Sequence, residues 1–262
     1  MIHRILGPRL SRYVQQRYFS AAKLRWKLSS GVKIEILSTV DWCLYNDIFV
    51  DGEYDLAIER ALNCSSQNQG ISVLDLGSNV GFFILRLMDR AKRTNNKKRI
   101  RVVAVEPDTK NIEEINRRVV SQAFENLDLQ ILEGIVGRRE GQAVLYTTHN
   151  YHAHTIDAAK QYSGSKPRPV SYLNLETLCP GVQWDLVKCD IEGAEGEFVE
   201  NYIDLLRRTQ TFVLEVHHGS CEIGKLRSVL RDAGLKTEHV IVDHGSNSMH
   251  IFTRDEQTPD NQ

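Results

Sequence analysis

The chain alternates between short, continuous apolar runs and longer amphipathic stretches. The apolar runs are rich in branched residues, which is typical of strands buried on both faces of a parallel sheet. They lie at 71–76, 102–105, 129–132, 184–189 and 211–218. Amphipathic stretches predict helices at 82–91, 109–123 and 224–233. This alternation predicts an α/β domain.

Shorter patterns complete the prediction. Residues 32–36 alternate like a strand, and residues 46–55 lead into a helix that continues through Leu62. A hairpin is expected after the strand at 129–132, with its turn at 138–141 and its return strand at 143–147. Two further strands are expected at 240–242 and 249–252.

The turn after the first buried strand indicates a ligand. Asp75 stands before the glycines Gly77 and Gly81, and Asn79 occupies the place of a middle glycine in the dinucleotide pattern. Glycines let a ligand approach the backbone, and the following helix offers unpaired N–H groups. An acid here repels a pyrophosphate but can hold an ammonium group. The spacing favours S-adenosylmethionine (SAM) over NAD, and a turn that binds nothing stays an alternative.

An acid also ends the second buried strand, at Glu106. In this position a carboxylate can accept hydrogen bonds from both hydroxyls of an adenosine ribose. Asp108 is the better candidate for capping the next helix. The third strand leaves Glu133 and Gly134 near the expected adenine edge. The residues predicted to bind the cofactor are Asp75, Gly77, Ser78, Asn79, Gly81, Glu106, Pro107, Glu133, Gly134 and Asp190.

Composition narrows the class of protein. The 262 residues suffice for one α/β domain with a short extension, and the formal net charge of −1 argues against a nucleic-acid binder. The 5 cysteines are scattered without a C-x-x-C pair, which suits reduced thiols in a cytoplasmic protein. Histidines at 149, 152 and 154 lie in a polar loop without a completing carboxylate pattern, so no metal site is predicted.

The N-terminal segment is basic and contains no acid before Glu35. Apolar residues recur in it at helical spacing. A helix packed on the domain, a helix drawn to anionic lipid or an acidic partner, and a mitochondrial transit peptide are three open interpretations.

Polar residues interrupt two of the buried strands. Lys188 and Asp190 share one face of the first strand, and Glu215 and His217 share one face of the second. Burying such polar or charged residues inside a sheet costs free energy unless they are paired or have a function in the site. If the two strand ends align, Lys188 faces Glu215 in a buried salt bridge and Asp190 faces His217 above it.

The motifs at 73–83, 105–107 and 185–195, in this order, resemble those of FkbM-type SAM-dependent methyltransferases. The segment at 46–54 resembles the one that precedes the first motif in that family. The resemblance covers about residues 40–253. It implies a class I methyltransferase (Rossmann-like) three-layer α/β fold, with a mostly parallel seven-stranded sheet and an antiparallel last strand. We expect a helical extension at 1–30, the methyltransferase domain at 31–255 and a disordered tail at 256–262.

The resemblance also implies O-methylation of a hydroxyl on a sugar, glycan or natural product. Such a hydroxyl must lose its proton, so a base is needed within hydrogen-bond reach. The candidates are Asp190, Glu192 and His217, with Lys188 included only if burial lowers its pKa. An NAD-dependent oxidoreductase or nucleotide-sugar enzyme is one alternative. A SAM-fold protein that binds without catalysis is another.

Overall fold

The computed structural model describes residues 17–19, 21–64, 70–147 and 166–254. Seven strands form the central sheet, in the order β10-β11-β9-β8-β3-β4-β5. Two antiparallel pairs, β1-β2 and β6-β7, lie outside it. The strands are β1 Leu24–Lys27, β2 Lys33–Ile36, β3 Ile71–Leu76, β4 Ile100–Glu106, β5 Leu127–Glu133, β6 Gln142–Thr147, β7 Lys166–Ser171, β8 Trp184–Cys189, β9 Thr209–His217, β10 Thr237–Asp243 and β11 Asn247–Thr253.

Helices cover both faces of this sheet. The α-helices are α1 Thr39–Tyr45, α2 Asp55–Cys64, α3 Phe82–Arg93, α4 Thr109–Arg118, α5 Leu175–Leu178, α6 Glu195–Asn201, α7 Ile203–Arg207 and α8 Ile223–Asp232. A π-helical turn spans Asn46–Val50, and a 3₁₀ turn spans Val120–Gln122. Among the described residues, no helix is long and apolar enough to cross a bilayer.

Alternating residues of the strands supply two separate hydrophobic cores. Val73 and Leu186 face the core that contains residues of α2, α3 and α4. Leu74 and Val187 face the other core, formed with α6, α7 and α8. Because successive strand residues point to opposite faces, a continuous apolar run serves both cores at once. The predicted three-layer fold is confirmed.

The strand directions place the ligand edge. β3 pairs in parallel with β4 on one side and with β8 on the other. β11 is antiparallel to both of its neighbours, β9 and β10, as predicted for the last strand. The chain moves outward from β3 through β4 to β5, and then returns to build β8 on the other side. Such a reversal leaves a crevice at the carboxyl ends of the strands. We call the ends of β3, β4, β8 and β9 the carboxyl edge.

Several local predictions were wrong. The expected hairpin between β5 and β6 does not form, since β6 pairs with β7 instead. Prolines at 167 and 169 concealed β7 in the sequence, and strand prolines are confined to edges, where a missing N–H is tolerated. The helix expected at 109–123 ends at Arg118, where the backbone continues into the 3₁₀ turn.

The N-terminal segment also differs from its prediction in part. Leu24–Lys27, expected in a helical extension, forms β1 and pairs with β2. Leu24 and Trp26 pack against the first core, which holds this strand on the domain. Residues 1–16, the histidine loop and the tail at 256–262 lie outside the described residues.

Candidate functional site

The glycine turn brings the ends of β3 and β8 into contact. Gly77 has φ +74°, and a Cβ added there would lie 1.8 Å from the carbonyl oxygen of Asp190. The N–H groups of Gly77 and Ser78 donate to the carbonyl oxygen of Val105, at the end of β4. Glycine is required at 77 because both its backbone conformation and the contact exclude a side chain.

The turn then leads into α3. Gly81, with φ +87°, is the N-cap of this helix. A Cβ at Gly81 would lie 2.8 Å from Cγ2 of Val119, so this glycine serves close packing. Asn79 also adopts a left-handed conformation, φ +48°, which asparagine tolerates better than most residues.

Glu106 holds the glycine turn from the next strand. Its side chain is buried, and Oε2 accepts a hydrogen bond of 2.8 Å from the Asn79 N–H. Oε1 accepts from the Asp108 N–H at 2.9 Å and from Nδ2 of Asn111 at 3.0 Å. This supporting role was not predicted from the sequence. Asp108 caps α4 by accepting from the Lys110 N–H, as expected.

The remaining predicted cofactor residues lie at the β5 side of the edge. Glu133 accepts a hydrogen bond of 2.9 Å from Arg168, which also donates to the carbonyl oxygen of Pro107. A Cβ on Gly134 would lie 2.6 Å from the Leu173 side chain. Arg168 thus ties the end of β5 to the end of β4, a link that was not predicted from the sequence.

Lys188 is the buried cation of the carboxyl edge. Its Nζ lies 3.5 Å from Oδ1 of Asp75 and 3.5 Å from Oδ2 of Asp190. It also donates to the carbonyl oxygen of Gly77 at 2.7 Å. Asp75 is fully buried, and apart from this ion pair neither of its carboxylate oxygens has a hydrogen-bond partner in the described part of the chain.

The predicted Lys188–Glu215 salt bridge was wrong. In the parallel ladder Lys188 lies opposite Val213, two residues before Glu215. Continuing this register places Asp190, rather than Lys188, level with Glu215. Glu215 instead accepts a hydrogen bond from Asn247 of β11. The two polar strands are neighbours and parallel as predicted, but their register differs by two residues.

The carboxylates around Lys188 favour its protonated form. Burial alone would lower the pKa of its ammonium group, but the carboxylates of Asp190 and Asp75 outweigh burial and raise that pKa above its ordinary value. The condition under which Lys188 was a candidate base, a pKa lowered by burial, is therefore not met. Burial also raises the pKa of Asp75, an effect that Lys188 opposes.

A compact polar cluster lies beside this ion pair. Atoms of Asp190, Glu192 and His217 lie within 4.8 Å of one another, close enough to contact one common cation. Nε2 of His217 lies 3.5 Å from Oε2 of Glu192, whose backbone has φ +57°. On its other side, Nδ1 of His217 lies 2.9 Å from Oε1 of the fully buried Glu195. The sequence prediction missed Glu195, although it lies within the 185–195 motif.

A cavity of about 140 Å³ adjoins the cluster. It lies between the segment around the π-helical turn and the β9–β11 side of the sheet. Its polar lining residues are Asp47, Glu53, Tyr54, Asp190, Glu215, His244 and Asn247. Burial, together with the nearby Asp47, raises the pKa of Glu53 to about 7. The cavity therefore offers hydrogen-bond donors and acceptors in one enclosed space.

Negative charge accumulates at the carboxyl edge. The Asp190 carboxylate and burial raise the pKa of Glu215 to about 8, and burial with Asp190 does the same for Glu192. The hydrogen bond that the His217 ring donates to Glu195, opposed by burial, raises the pKa of His217 to about 9. These shifts show that the edge favours bound protons, and by the same reasoning it favours a cationic ligand.

Stability is expected to fall as the pH rises from about 7 to about 9. A carboxyl group whose pKa is higher in the folded state keeps a proton that the unfolded chain has already released. The free energy of unfolding therefore decreases as the pH rises, until the pH passes the folded pKa, which is about 8 for Glu192 and Glu215. For His217, the stabilisation is complete below the unfolded value of 6.5 and is lost as pH rises through about 9. Both effects have the same sign. Because the Glu192 side chain is 48% exposed, solvent screening reduces its share, and together the three groups are expected to cost about 1–3 kcal/mol. Urea denaturation at the two pH values measures the loss. Glu215→Gln should reduce it, whereas stability that increases with pH would contradict these shifts.

The fold and the site now define a class of protein. A sheet with one antiparallel strand, an acid-flanked glycine turn after β3 and a terminal acid on β4 are the features of a class I SAM-dependent methyltransferase fold. The chain belongs to the FkbM methyltransferase family, because the Methyltransferase FkbM domain matches residues 75–236, more than half of its length.

Individual relatives are distant. A protein of Jannaschia sp. (strain CCS1), provisionally named a methyltransferase, is 23% identical over 176 residues, which are 63% of this chain. The chain spans 62% of the length of that relative. The crystal structure of Methyltransferase FkbM from Methylobacillus flagellatus KT is 14% identical, with a TM-score of 0.49 over 94% of this chain and 60% of that one. The METTL16 MTase domain is 11% identical, with a TM-score of 0.49 over 96% of this chain and 94% of that one.

Proposed function

We propose that this chain is a SAM-dependent O-methyltransferase that modifies a hydroxyl group of a sugar, glycan or natural product. The observation that carries the proposal is the carboxylate-rich edge formed around the glycine turn. Its acids Asp75, Asp190, Glu192 and Glu215 outnumber the cations Lys188 and His217. Membership of the FkbM family supports the reaction class.

The donor set at this edge fits SAM. SAM carries a sulfonium and an ammonium group, and when bound it supplies an electrophilic methyl group. The buried Asp75, whose oxygens have no hydrogen-bond partner among the described residues apart from the ion pair with Lys188, adds a negative charge beneath the glycine turn. Glu106 would hold the ribose while it keeps the turn in place, and Glu133 with Gly134 would lie at the adenine side. NAD fits less well, because its pyrophosphate would meet these carboxylates.

The cavity beside the cluster supports a hydroxylated acceptor. Carboxylates such as Glu53 and Glu215 accept hydrogen bonds from hydroxyl groups, and Asn247 and Tyr54 can donate them. A confined cavity restricts the orientation of the acceptor, and orientation is a main source of rate in displacement reactions. Asp190 lines the cavity and also belongs to the polar cluster, so it connects the acceptor side with the cofactor side.

Glu106→Ala is expected to weaken binding of S-adenosylhomocysteine (SAH), the demethylated product of SAM. The lost charge-assisted hydrogen bonds correspond to about 1–3 kcal/mol, or about 5- to 150-fold in the dissociation constant. Isothermal titration calorimetry measures the change. Since Glu106 also supports the turn, the melting temperature without ligand must be compared in parallel.

Glu140→Ala is the matched control, because it removes an exposed carboxylate in the loop before β6 that is not among the predicted cofactor residues. Its affinity for SAH should equal that of the wild type. A Glu106→Ala protein with the wild-type melting temperature and unchanged affinity would remove Glu106 from the cofactor site.

The reaction itself is tested with SAM labelled in its methyl group. The protein is incubated with sugars, glycans and hydroxylated natural products, and the labelled products are analysed for methyl ethers. Transfer to a hydroxyl supports the proposal. Transfer only to amines, or none despite bound SAM, would contradict it, and the latter result would favour a binding protein without catalysis.

A further inference from the structure

The contact between Glu195 and His217 indicates a role for Glu195, which has no function in the reaction as proposed above. Glu195 begins α6, and its side chain is fully buried. Its Oε1 accepts a hydrogen bond of 2.9 Å from the Gly193 N–H and lies 2.9 Å from Nδ1 of His217. The backbone turn thus fixes the carboxylate, and the carboxylate in turn fixes the imidazole ring.

This contact determines the tautomer of His217. Oε1 already accepts from a backbone N–H, so it acts as an acceptor toward the ring as well. Nδ1 must then carry a hydrogen, and in the neutral ring Nε2 carries the lone pair. Nε2 is the nitrogen on the side of Glu192, at 3.5 Å from Oε2, and of the polar cluster next to the cavity.

We propose that Glu195 is a positioning residue, and that it orients His217 so that Nε2 removes the proton from the acceptor hydroxyl. This inference rests on the proposed O-methyltransferase function. In the step, the Nε2 lone pair forms the new N–H bond, and the electrons of the broken O–H bond stay on oxygen, which becomes the nucleophile. Glu195 then stabilises the imidazolium through the Nδ1 hydrogen bond, as the carboxylate of a catalytic triad does.

The neighbouring groups are consistent with this assignment. Lys188 is committed to Asp75 and Asp190, and Asp190 faces that ammonium group. The groups that face the imidazole are the carboxylates of Glu195, Glu192, Asp190 and Glu215, and the Cys221 thiol lies near its backbone. The carboxylates favour the protonated ring, so turnover should increase with pH until His217 is neutral.

Nuclear magnetic resonance tests the inference without an acceptor. The full chain is labelled with ¹⁵N-histidine in a buffer containing a chelator, and His217→Gln identifies the ring signals of His217 among the 9 histidines. In the wild type at high pH, the ring should be the Nδ1–H tautomer. Glu195→Gln should lower its titration midpoint by about one pH unit or more and populate the other tautomer.

Glu197→Gln is the matched control. It removes one carboxylate from the same helix, but that carboxylate pairs with Arg138 rather than with His217. The control should have the same tautomer and titration midpoint of His217 as the wild type. Its pH profile of kcat should also equal that of the wild type. Once an acceptor is known, the pH profile of kcat should move to lower pH in Glu195→Gln alone, with unchanged affinity for SAH.

Three results would overturn the inference. These are an Nε2–H tautomer in the wild type, an unchanged midpoint in Glu195→Gln, and selective loss of the His217 signals on adding Mn²⁺ in chelator-free buffer. The last result would make the cluster a cation site. Failure of the proposed function is a separate outcome, because it would appear as absent SAH binding or absent methyl transfer in the wild type.

Discussion

Lys188→Met is expected to lower the free energy of unfolding by about 3–5 kcal/mol, because it leaves a buried carboxylate without its cation. Asp75 is fully buried, and the Lys188 ammonium group at 3.5 Å is its partner. The same substitution removes the hydrogen bond from Nζ to the carbonyl oxygen of Gly77. Urea denaturation followed by circular dichroism measures the loss.

A double variant separates the ion pair from the packing of the lysine side chain. Asp75→Asn combined with Lys188→Met removes both charges, and it should recover much of the lost stability. Lys225→Met is the surface control, since Lys225 is largely exposed and pairs with Glu222, the N-cap residue of its helix. It should change stability by less than about 0.5 kcal/mol. A double variant no more stable than Lys188→Met would show that the charge of Asp75 is not the cause.

Gly77→Ala is expected to cost about 4 kcal/mol or more, or to prevent folding. A methyl group at this position would lie 1.8 Å from the carbonyl oxygen of Asp190, so the ends of β3 and β8 would have to separate. The left-handed backbone, φ +74°, adds strain for any L-residue. The yield of folded protein and its denaturation midpoint measure the effect.

Gly181→Ala is the matched control for this prediction. Gly181 has a similar backbone conformation, φ +66°, but a Cβ there would meet nothing within 4 Å. The loss of stability in this control measures only the cost of the left-handed backbone for alanine, about 1 kcal/mol. Equal losses in the two variants would show that the contact with Asp190 contributes nothing, and that this approach of the two strands is not required.

The central strands were predicted well from the sequence, because the pattern that indicates each of them is local. The predicted strand at 71–76 coincides with β3, since a continuous branched run bounded by a glycine turn has few alternatives. The placement of Asp75, Gly77 and Glu106 at one edge also followed, because the carboxyl ends of parallel strands meet there. The FkbM motif order then supplied the sheet topology that local patterns do not contain.

The register between neighbouring strands was harder to predict from the sequence. The register of β8 on β9 depends on how the connecting helices pack, and a shift of two residues keeps every side chain on its predicted face. The pattern therefore could not distinguish Asp75 from Glu215 as the partner of Lys188. The role of Glu195 was hidden for a similar reason, because it reaches His217 across 22 residues of chain.

The central claim is that the carboxyl edge binds SAM rather than a nicotinamide dinucleotide. Isothermal titration calorimetry of the full chain with SAH and, separately, with NADH tests this claim most directly. We expect saturable binding of one SAH per chain, weakened in Glu106→Ala, and no heat of binding with NADH. Saturable binding of NADH, with no response to SAH or SAM, would contradict it.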